Sequence, residues 1–511
     1  MEKRKTGKVY LIGAGPGDPG LLTIKGKEIL SQAEVVIYDR LASPRLLAFA
    51  RPNAELIYVG KRTGNHTVDQ EGINQLIVEK AREGKLVARL KGGDPFIFGR
   101  GGEEAQVLAE HDIPFEVVPG VTSAIAVPAY AGIPLTHRAH TASVAFITGH
   151  RRKDRDEADI DWQNLAKGVG TLVFLMGVKN LPFITQQLIS FGRSPDTPVA
   201  VIRWGTTPLH RSVSGTLSNI VDKVKQAELR PPAIIVIGDV VGLKDQINWF
   251  EKNPLLGKRV LVTRTRAQAS ELVNQLEQKG AICIQFPTIE VVPPEDGSEL
   301  DEALKGLPGY DWIIFSSTNA VEFFFKRLFQ MGRDIRFMGR NAIAAVGSAT
   351  SQALERLGIK PNLVPEDFRQ EGLLDAFKRI GVRGRRILIP RAKKARELLP
   401  NGLRALGANV EVVVTYETRL PELTEELKES IGKEPIDVVT FTSSSTVKNL
   451  FKLLPQQTVN KILEKAKVAC IGPVTAKTAQ EHGLKVDIQP DESTIASLVK
   501  AIERYFADRT P

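Results

Sequence analysis

The chain has 511 residues, 42% hydrophobic and 25% charged, with two cysteines, seven histidines and a formal charge of +10. That length predicts three or four domains, each burying its own core, and no apolar stretch approaches the roughly 18 residues a membrane helix needs. The positive charges are scattered and only 6% of residues are aromatic, which argues against a nucleic-acid surface and for a small polyanionic ligand.

The opening MEKRKTG lacks the apolar core of a signal peptide, so a cytoplasmic protein is expected. The first strand, near 8 to 12, runs into GAGPGDPG at residues 13 to 20. Gly15 to Gly20 fits the Gly-x-Gly-x-x-Gly dinucleotide pattern, and Asp39, at the end of the next apolar run, stands about where a ribose-binding carboxylate is expected. The loop chemistry opposes that reading. A phosphate cradle works through backbone N–H groups at a helix start, yet Pro16 and Pro19 have none, and Thr23 is the nearest N-cap.

Further strands are predicted near 34 to 38, 55 to 59 and 85 to 90. The last leads into RLKGGDPFIFGRGGEE, residues 89 to 104, where paired glycines permit close backbone approach and Asp94 either caps a turn or accepts from a ligand. Past VPGVTSAIA, with Thr122 and Ser123 at a helix start, strands near 143 to 148, 170 to 176, 197 to 203, 211 to 215 and 233 to 237 follow with fewer helices. Two α/β lobes are predicted, about 6–118 and 119–245, with ligand-like positions after the strands, where they converge on one crevice. His137 and His140 read as solvated loop residues rather than metal ligands, and Met176 at a strand end reads as packing or as a ligand contact.

Residues 246–256 lie within LKDQINWFEKNPLLGK, polar and without period, and are expected to be a linker. Beyond it KRVLVTR (258 to 264) returns as RRILIPR (385 to 391), IIFSSTNAVEFFF as VVTFTSSSTVKNLF, and AAVGSATSQALERLG as ACIGPVTAKTAQEHG. The order A, B, A′, B′ is that of a duplicated α/β unit. Each unit has a Ser/Thr-rich turn at a helix start, so Ser316, Ser317, Ser443 and Ser444 either line a ligand cleft or merely cap helices. Cys283 and Cys470 sit in strand-like runs and read as buried thiols.

The motifs GAGPGDPGLLT, VVIYDRL, VGKR, RLKGGDPFIFGRGGEE, VPGVTSA and GTTP together resemble the uroporphyrinogen-III C-methyltransferases of the tetrapyrrole methylase family over roughly residues 6 to 245. The resemblance implies a non-Rossmann fold that takes S-adenosyl-L-methionine between two lobes. It implies cofactor contacts at Pro16, Gly92, Gly93, Asp94, Ile97, Thr122, Ser123, Met176 and Gly205, with Asp39 as proton acceptor and Lys61 as proton donor. Many relatives have glutamine where this chain has His210 and tyrosine where it has Leu175.

Residues 257–511 resemble uroporphyrinogen-III synthase through VLVTR, IIFSSTNAV, VGSATSQAL, IPR, VVTFTSSSTV and CIGPVTAKTA. That resemblance implies one domain of 257–292 plus 422–511 and another of 294–418. It also implies a substrate cleft at Arg264, Ser316, Ser317, Thr318, Asn319, Ser443, Ser444 and Thr475, with Tyr416 helping the hydroxyl leaving group depart. A packed tyrosine in an alternating strand is the other reading of Tyr416.

The expected fold is therefore α/β, a two-lobed tetrapyrrole methylase fold (1–245) followed by a duplicated two-domain synthase fold. The expected function is bifunctional: closure of hydroxymethylbilane to uroporphyrinogen III, then two methylations to precorrin-2 in the sirohaem or cobalamin branch. The expected partners are these small molecules and a second copy of the chain, with no metal, nucleic acid or membrane. The alternative is an RNA methyltransferase of the same fold carrying a non-catalytic, ligand-sensing C-terminal module.

Overall fold

The computed structural model describes residues 6–60, 69–149, 160–264, 266–424, 431 and 434–507, with backbone alone for 266–270. They form two compact units, one of residues up to 259 with 274–282 and 503 onward, the other of 260–273 and 283–502.

The first unit contains two five-stranded sheets. One comprises β1 (Lys8–Gly13), β2 (Val35–Tyr38), β3 (Glu55–Tyr58), β4 (Leu86–Lys91) and β5 (Phe115–Val118) in the order β3-β2-β4-β1-β5, every pair parallel. Its central strands are near-continuous apolar runs because helices cover both faces: Val9, Leu11, Ile12, Val36, Ile37, Val87, Ala88 and Leu90 are all buried. Parallel strands point their C-terminal ends the same way, so the loops after β1, β2, β4 and β5 share one edge.

The second sheet comprises β6 (Val144–Thr148), β7 (Thr171–Leu175), β8 (Pro198–Arg203), β9 (Arg211–Thr216) and β10 (Ala233–Ile237) in the order β6-β7-β10-β8-β9. Only β6 and β7 pair in parallel; β10 runs antiparallel to both neighbours, and β8–β9 is antiparallel too. The sequence predicts fewer helices here, but among the described residues three α-helices, Trp162–Gly168, Leu181–Ser190 and Ile220–Gln226, lie between these strands, as many as between β1 and β5 though shorter in sum.

Residues 246–256, expected as a linker, are docked on this unit. Phe250 and Leu255 are buried, the Trp249 and Phe250 rings pack on Tyr130 with centroids 5.0 and 4.9 Å away, and Trp249 Nε1 donates to the Ala129 carbonyl. The buried Phe250 ring and the hydrogen-bonded Trp249 indole supply the docking that composition alone conceals.

The second unit also holds two sheets. β11 (Arg259–Val262) and β12 (Ile282–Gln285) join β18 (Val438–Phe441) and β19 (Lys467–Cys470) in the order β12-β11-β18-β19. The other sheet, β13-β17-β16-β14-β15, contains β13 (Glu290–Val292), β14 (Trp312–Phe315), β15 (Ala342–Ala345), β16 (Arg386–Ala392) and β17 (Asn409–Arg419). The first A strands thus pair with the last B strands, and B pairs with A′. Residues 290–292 depart from the expected division: they lie antiparallel to Glu417–Arg419 and belong to the sheet of the middle segment. β17 is 11 residues long, and its last turn of backbone donors and acceptors offers an edge that the entering strand fills.

The duplication persists in detail. Ser317 and Ser443 both cap helices after β14 and β18, and Thr350 and Thr475, at matching places in the next helices, are both buried. Cys470 is buried as expected, and burial pushes its thiol up to about 12, whereas Cys283 is only half-buried, its Sγ donating to the Val273 carbonyl at 3.9 Å.

Candidate active site

In the first unit the glycine loop bonds to its neighbours through backbone. Gly15 and Gly93 exchange hydrogen bonds, Gly93 N to Gly15 O at 2.7 Å and Gly15 N to Gly93 O at 3.2 Å. Gly13, Gly93 and Gly120 lie so close that a Cβ on Gly13 would fall 2.4 Å from Gly120 Cα. Asp94 fastens this junction: Oδ1 accepts from Phe96 and Ile97 N–H, and Oδ2 accepts from Gly120 N–H at 2.9 Å.

Asp18 and Pro16 tie the loop to the second lobe. Thr206 Oγ1 donates to the Pro16 carbonyl at 3.0 Å and accepts from Asp18 N–H at 3.3 Å, and Tyr130 Oη donates to Asp18 Oδ2 at 2.6 Å. Burial, then the Asp18 bond, raises the Tyr130 pKa, so the hydroxyl stays a donor. Gly17 has a φ of +133°, and a Cβ there would meet the Thr207 methyl at 2.7 Å. Asp18 caps a short 3-10 turn and Thr23 caps the helix Ile24–Gln32, so that helix starts beyond the glycines. A carboxylate, two prolines and a displaced helix make a poor pyrophosphate cradle.

The remaining loops carry strain. Phe98, Arg100, Met176 and Trp204 are non-glycine residues with φ between 50° and 60°, each after a sheet strand or in the turn before a helix. Left-handed backbone at such residues costs free energy and clusters where a ligand shapes the chain. Met176 is 53% exposed and Ile97 37%, so neither is core packing, whereas Leu175 is buried. Thr122 caps the helix Ser123–Tyr130 and is buried, with Ser123 half-buried at its first position. Gly205 packs on that helix, where a Cβ would sit 2.4 Å from Val127 Cγ1. The structure thereby brings Pro16, Gly92, Gly93, Asp94, Thr122, Ser123 and Gly205 into one set of touching loops, with Ile97 beside them through Asp94, and leaves Met176 exposed just past β7. A glycine-floored edge with carboxylates in its loops and exposed apolar and thioether side chains suits a nucleoside carrying an amino-acid chain better than a diphosphate.

Asp39 follows β2. Its Oδ1 accepts from Leu41 N–H at 3.0 Å, and its Oδ2 faces Arg89 Nη2 at 3.4 Å. Leu41 in turn abuts Gly92, where a Cβ would fall 2.5 Å from Leu41 Cβ. Beneath lies a buried ionic group that sequence reading missed: Arg89 Nε and Lys91 Nζ reach Glu104 Oε1 at 3.3 and 2.6 Å, and Gln70 Nε2 donates to the same oxygen at 3.2 Å. Burial, then repulsion from Arg89, lowers the Lys91 pKa against the pull of Glu104. Within an apolar strand, RLK gives no signal of an internal ion pair. Lys61 lies outside the described residues.

On the other side of the 204–210 loop, His210 is buried with Nδ1 on the Gly205 carbonyl at 2.8 Å and Nε2 on Glu251 Oε1 at 2.6 Å. Glu251 accepts further bonds from Ser212, Lys244 and Asn248. Burial works against its charge, but the bonds from His210, Ser212 and Lys244 outweigh it and hold the carboxyl down at about 2.

In the second unit Tyr416 is buried, stacks on Phe323 with centroids 5.9 Å apart and places Oη 3.1 Å from Ser317 Oγ. Ser317 Oγ also accepts from Ala320 N–H, and Ser316, Thr318 and Asn319 occupy the same strand-to-helix turn. Ser443 forms a capping box with Thr446, while Ser444 Oγ accepts from Thr478 Oγ1 at 2.7 Å. Ser317 and Ser443 thus both cap helices at these turns. Thr475 is buried in the helix Pro473–Glu481. Arg264 lies just past β11, half-buried, its pKa lowered by burial and supported by Glu271. Arg391, its counterpart in the repeat, pairs with Glu397.

His137 and His140 are exposed, as a solvated loop requires. Among the described residues no group of three or more metal-binding side chains occurs, and no helix is long and apolar enough to cross a membrane.

Comparison with known proteins matches residues 8–221 to the Tetrapyrrole (Corrin/Porphyrin) Methylases and residues 270–500 to Uroporphyrinogen-III synthase HemD. The chain is 41% identical over 495 residues to the porphyrin biosynthesis protein HemD of Ruminiclostridium josui, covering 96% of this chain and 97% of that protein. It is 40% identical over 479 residues to the uroporphyrinogen-III C-methyltransferase of Bacillus subtilis, covering 92% and 93%. Its first half is 55% identical over 239 residues to an S-adenosyl-L-methionine-dependent uroporphyrinogen III methyltransferase of Methanosarcina barkeri, covering 47% of this chain and 94% of that one.

Proposed function

The chain belongs to the tetrapyrrole methylases through its first half and to the uroporphyrinogen-III synthases through its second, and from that premise we propose a bifunctional enzyme that makes precorrin-2 from hydroxymethylbilane. Residues 1–245 carry the methyl transfer and 257–511 the ring closure with inversion of the last pyrrole. The observation that carries the reading is the full-length relatedness: two similar proteins share both halves in this order, and both bear porphyrin names.

When bound, S-adenosyl-L-methionine supplies a methyl group activated on its sulfonium. The protein's part is to place the acceptor carbon in line and exclude water. Pro16, Gly92, Gly93, Asp94, Ile97, Thr122, Ser123, Met176 and Gly205 hold the donor. Carbon methylation leaves a proton to be lost, and Asp39 is the acceptor, oriented by Leu41 N–H and by Arg89. Lys61 keeps the donor role the resemblance implies. In the second unit Tyr416 assists departure of the substrate hydroxyl, held by Ser317 on one side and Phe323 on the other. Arg264, Ser316, Ser317, Thr318, Asn319, Ser443, Ser444 and Thr475 belong to the substrate cleft. The +10 charge suits octacarboxylate substrates. Pairing of two chains through the methylase half and a cytoplasmic setting complete the proposal.

An RNA acceptor is not favoured, because both full-length relatives are named for porphyrin chemistry. Supplying hydroxymethylbilane alone tests the second half: the type III isomer is expected, and predominance of type I, the spontaneous product, contradicts a working synthase. Adding S-adenosyl-L-methionine is expected to bring two methyl additions.

A further inference from the structure

We infer that residues 244–251 are a brace for the loops that take the methyl donor, with Glu251 and His210 as positioning residues; this rests on the methyl-donor reading above. Glu251 anchors the brace by accepting from Ser212 Oγ at 2.6 Å, Asn248 Nδ2 at 2.6 Å and Lys244 Nζ at 3.0 Å. Its remaining contact is His210 Nε2, and the opposite ring nitrogen holds the Gly205 carbonyl. The imidazole thereby spans the Glu251 carboxylate and the Gly205 carbonyl, one on each ring nitrogen.

The link continues one residue on, where Thr206 binds Pro16 and Asp18 of the glycine loop. A second route starts from the same segment: Trp249 and Phe250 pack on Tyr130, whose hydroxyl donates to Asp18. Both routes meet at residues 16–18. Gly205 cannot shift toward the helix beneath it without striking Val127, so the pull of His210 on its carbonyl fixes the peptide's orientation. Trp204, with a φ of +50°, supplies the strained turn that this hold maintains.

The test is titration of the full-length chain with S-adenosylhomocysteine, alongside donor KM and kcat for methylation and a thermal unfolding curve. Glu251→Ala and His210→Leu are each expected to weaken binding about tenfold, as loss of a hydrogen bond to a charged group does. The double variant is expected to lose no more than about tenfold, because the two residues act in series. KM rises while kcat holds within about twofold. Glu251→Gln stays within about threefold, since its amide donates to Nε2 while Nδ1–H keeps the Gly205 carbonyl. His210→Asn keeps a donor for Gly205 but does not reach Glu251, and is expected to bind about tenfold more weakly. Unchanged binding in these variants, or losses that multiply to about a hundredfold in the double, overturns the inference alone. No binding by the unmutated chain overturns the methyl-donor reading, and the inference with it.

Discussion

Thr206 Oγ1 donates to the Pro16 carbonyl at 3.0 Å across 190 positions of sequence and fastens the glycine loop of the first lobe to the 204–210 loop of the second. Thr206→Val keeps the shape and removes the hydroxyl, leaving the Pro16 carbonyl and Asp18 N–H without this partner. The expected cost is about 1 to 2 kcal/mol, read as a five- to thirty-fold weaker affinity for S-adenosylhomocysteine by calorimetry. Unchanged affinity would separate the loop junction from the donor site.

Asp39→Asn preserves the turn through Leu41 but removes the proton acceptor. Methylation is expected to fall by at least about a hundredfold while S-adenosylhomocysteine binds as before. A variant that methylates at near-normal rate would return Asp39 to the structural role its Leu41 bond already supports.

Glu104 faces both Lys91 and Arg89, so Glu104→Leu leaves two buried cations short of a partner. A loss of about 3 to 5 kcal/mol is expected. Urea unfolding followed by tryptophan fluorescence reads it, because three of the four tryptophans, Trp162, Trp204 and Trp249, lie in the first half. A loss below about 1 kcal/mol would mean that water reaches and solvates the cluster.

The pH dependence of Glu251 follows from a carboxyl held at about 2 against an ordinary 4.5. A depressed folded-state pKa stabilises the protein above the unfolded value and loses that contribution as pH falls toward the folded one. The stability gap between the unmutated chain and Glu251→Ala is therefore expected to be full above about pH 5 and to shrink between about pH 4.5 and pH 2, by up to about 3 kcal/mol. A gap that does not narrow on acidification would contradict the ionic anchor.

Tyr416→Phe keeps the stack on Phe323 and deletes only the hydroxyl near Ser317. Type III isomer formation is expected to drop about a hundredfold, with methylation of supplied uroporphyrinogen III unaffected. A fall below about threefold would leave Tyr416 as packing.

The strands of the first unit were legible because parallel-sheet cores are written as unbroken apolar runs, and Thr23 announced the first helix by its capping chemistry. The repeat in the second half was legible because Ser317 and Ser443 recur at matching caps. What stayed hidden depends on contacts between distant residues. Glu251 in a polar segment reads as tether until His210 is seen beside it, and nothing about Arg89 in an apolar strand announces that Glu104 faces it. The left-handed backbone of Met176 and Trp204 has no sequence mark at all, since neither is glycine. The pairing of residues 290–292 with 417–419 stayed hidden because a three-residue strand carries too little pattern to show its partner.

The central claim is that these glycine loops seat a methyl donor between two lobes, and a crystal structure of the chain with S-adenosylhomocysteine tests it most directly. Density in contact with Pro16, the Gly92–Ile97 loop, Thr122, Ser123, Met176 and Gly205 is the predicted result. Density elsewhere on the first unit, or a dinucleotide taking this place in preference, would contradict it.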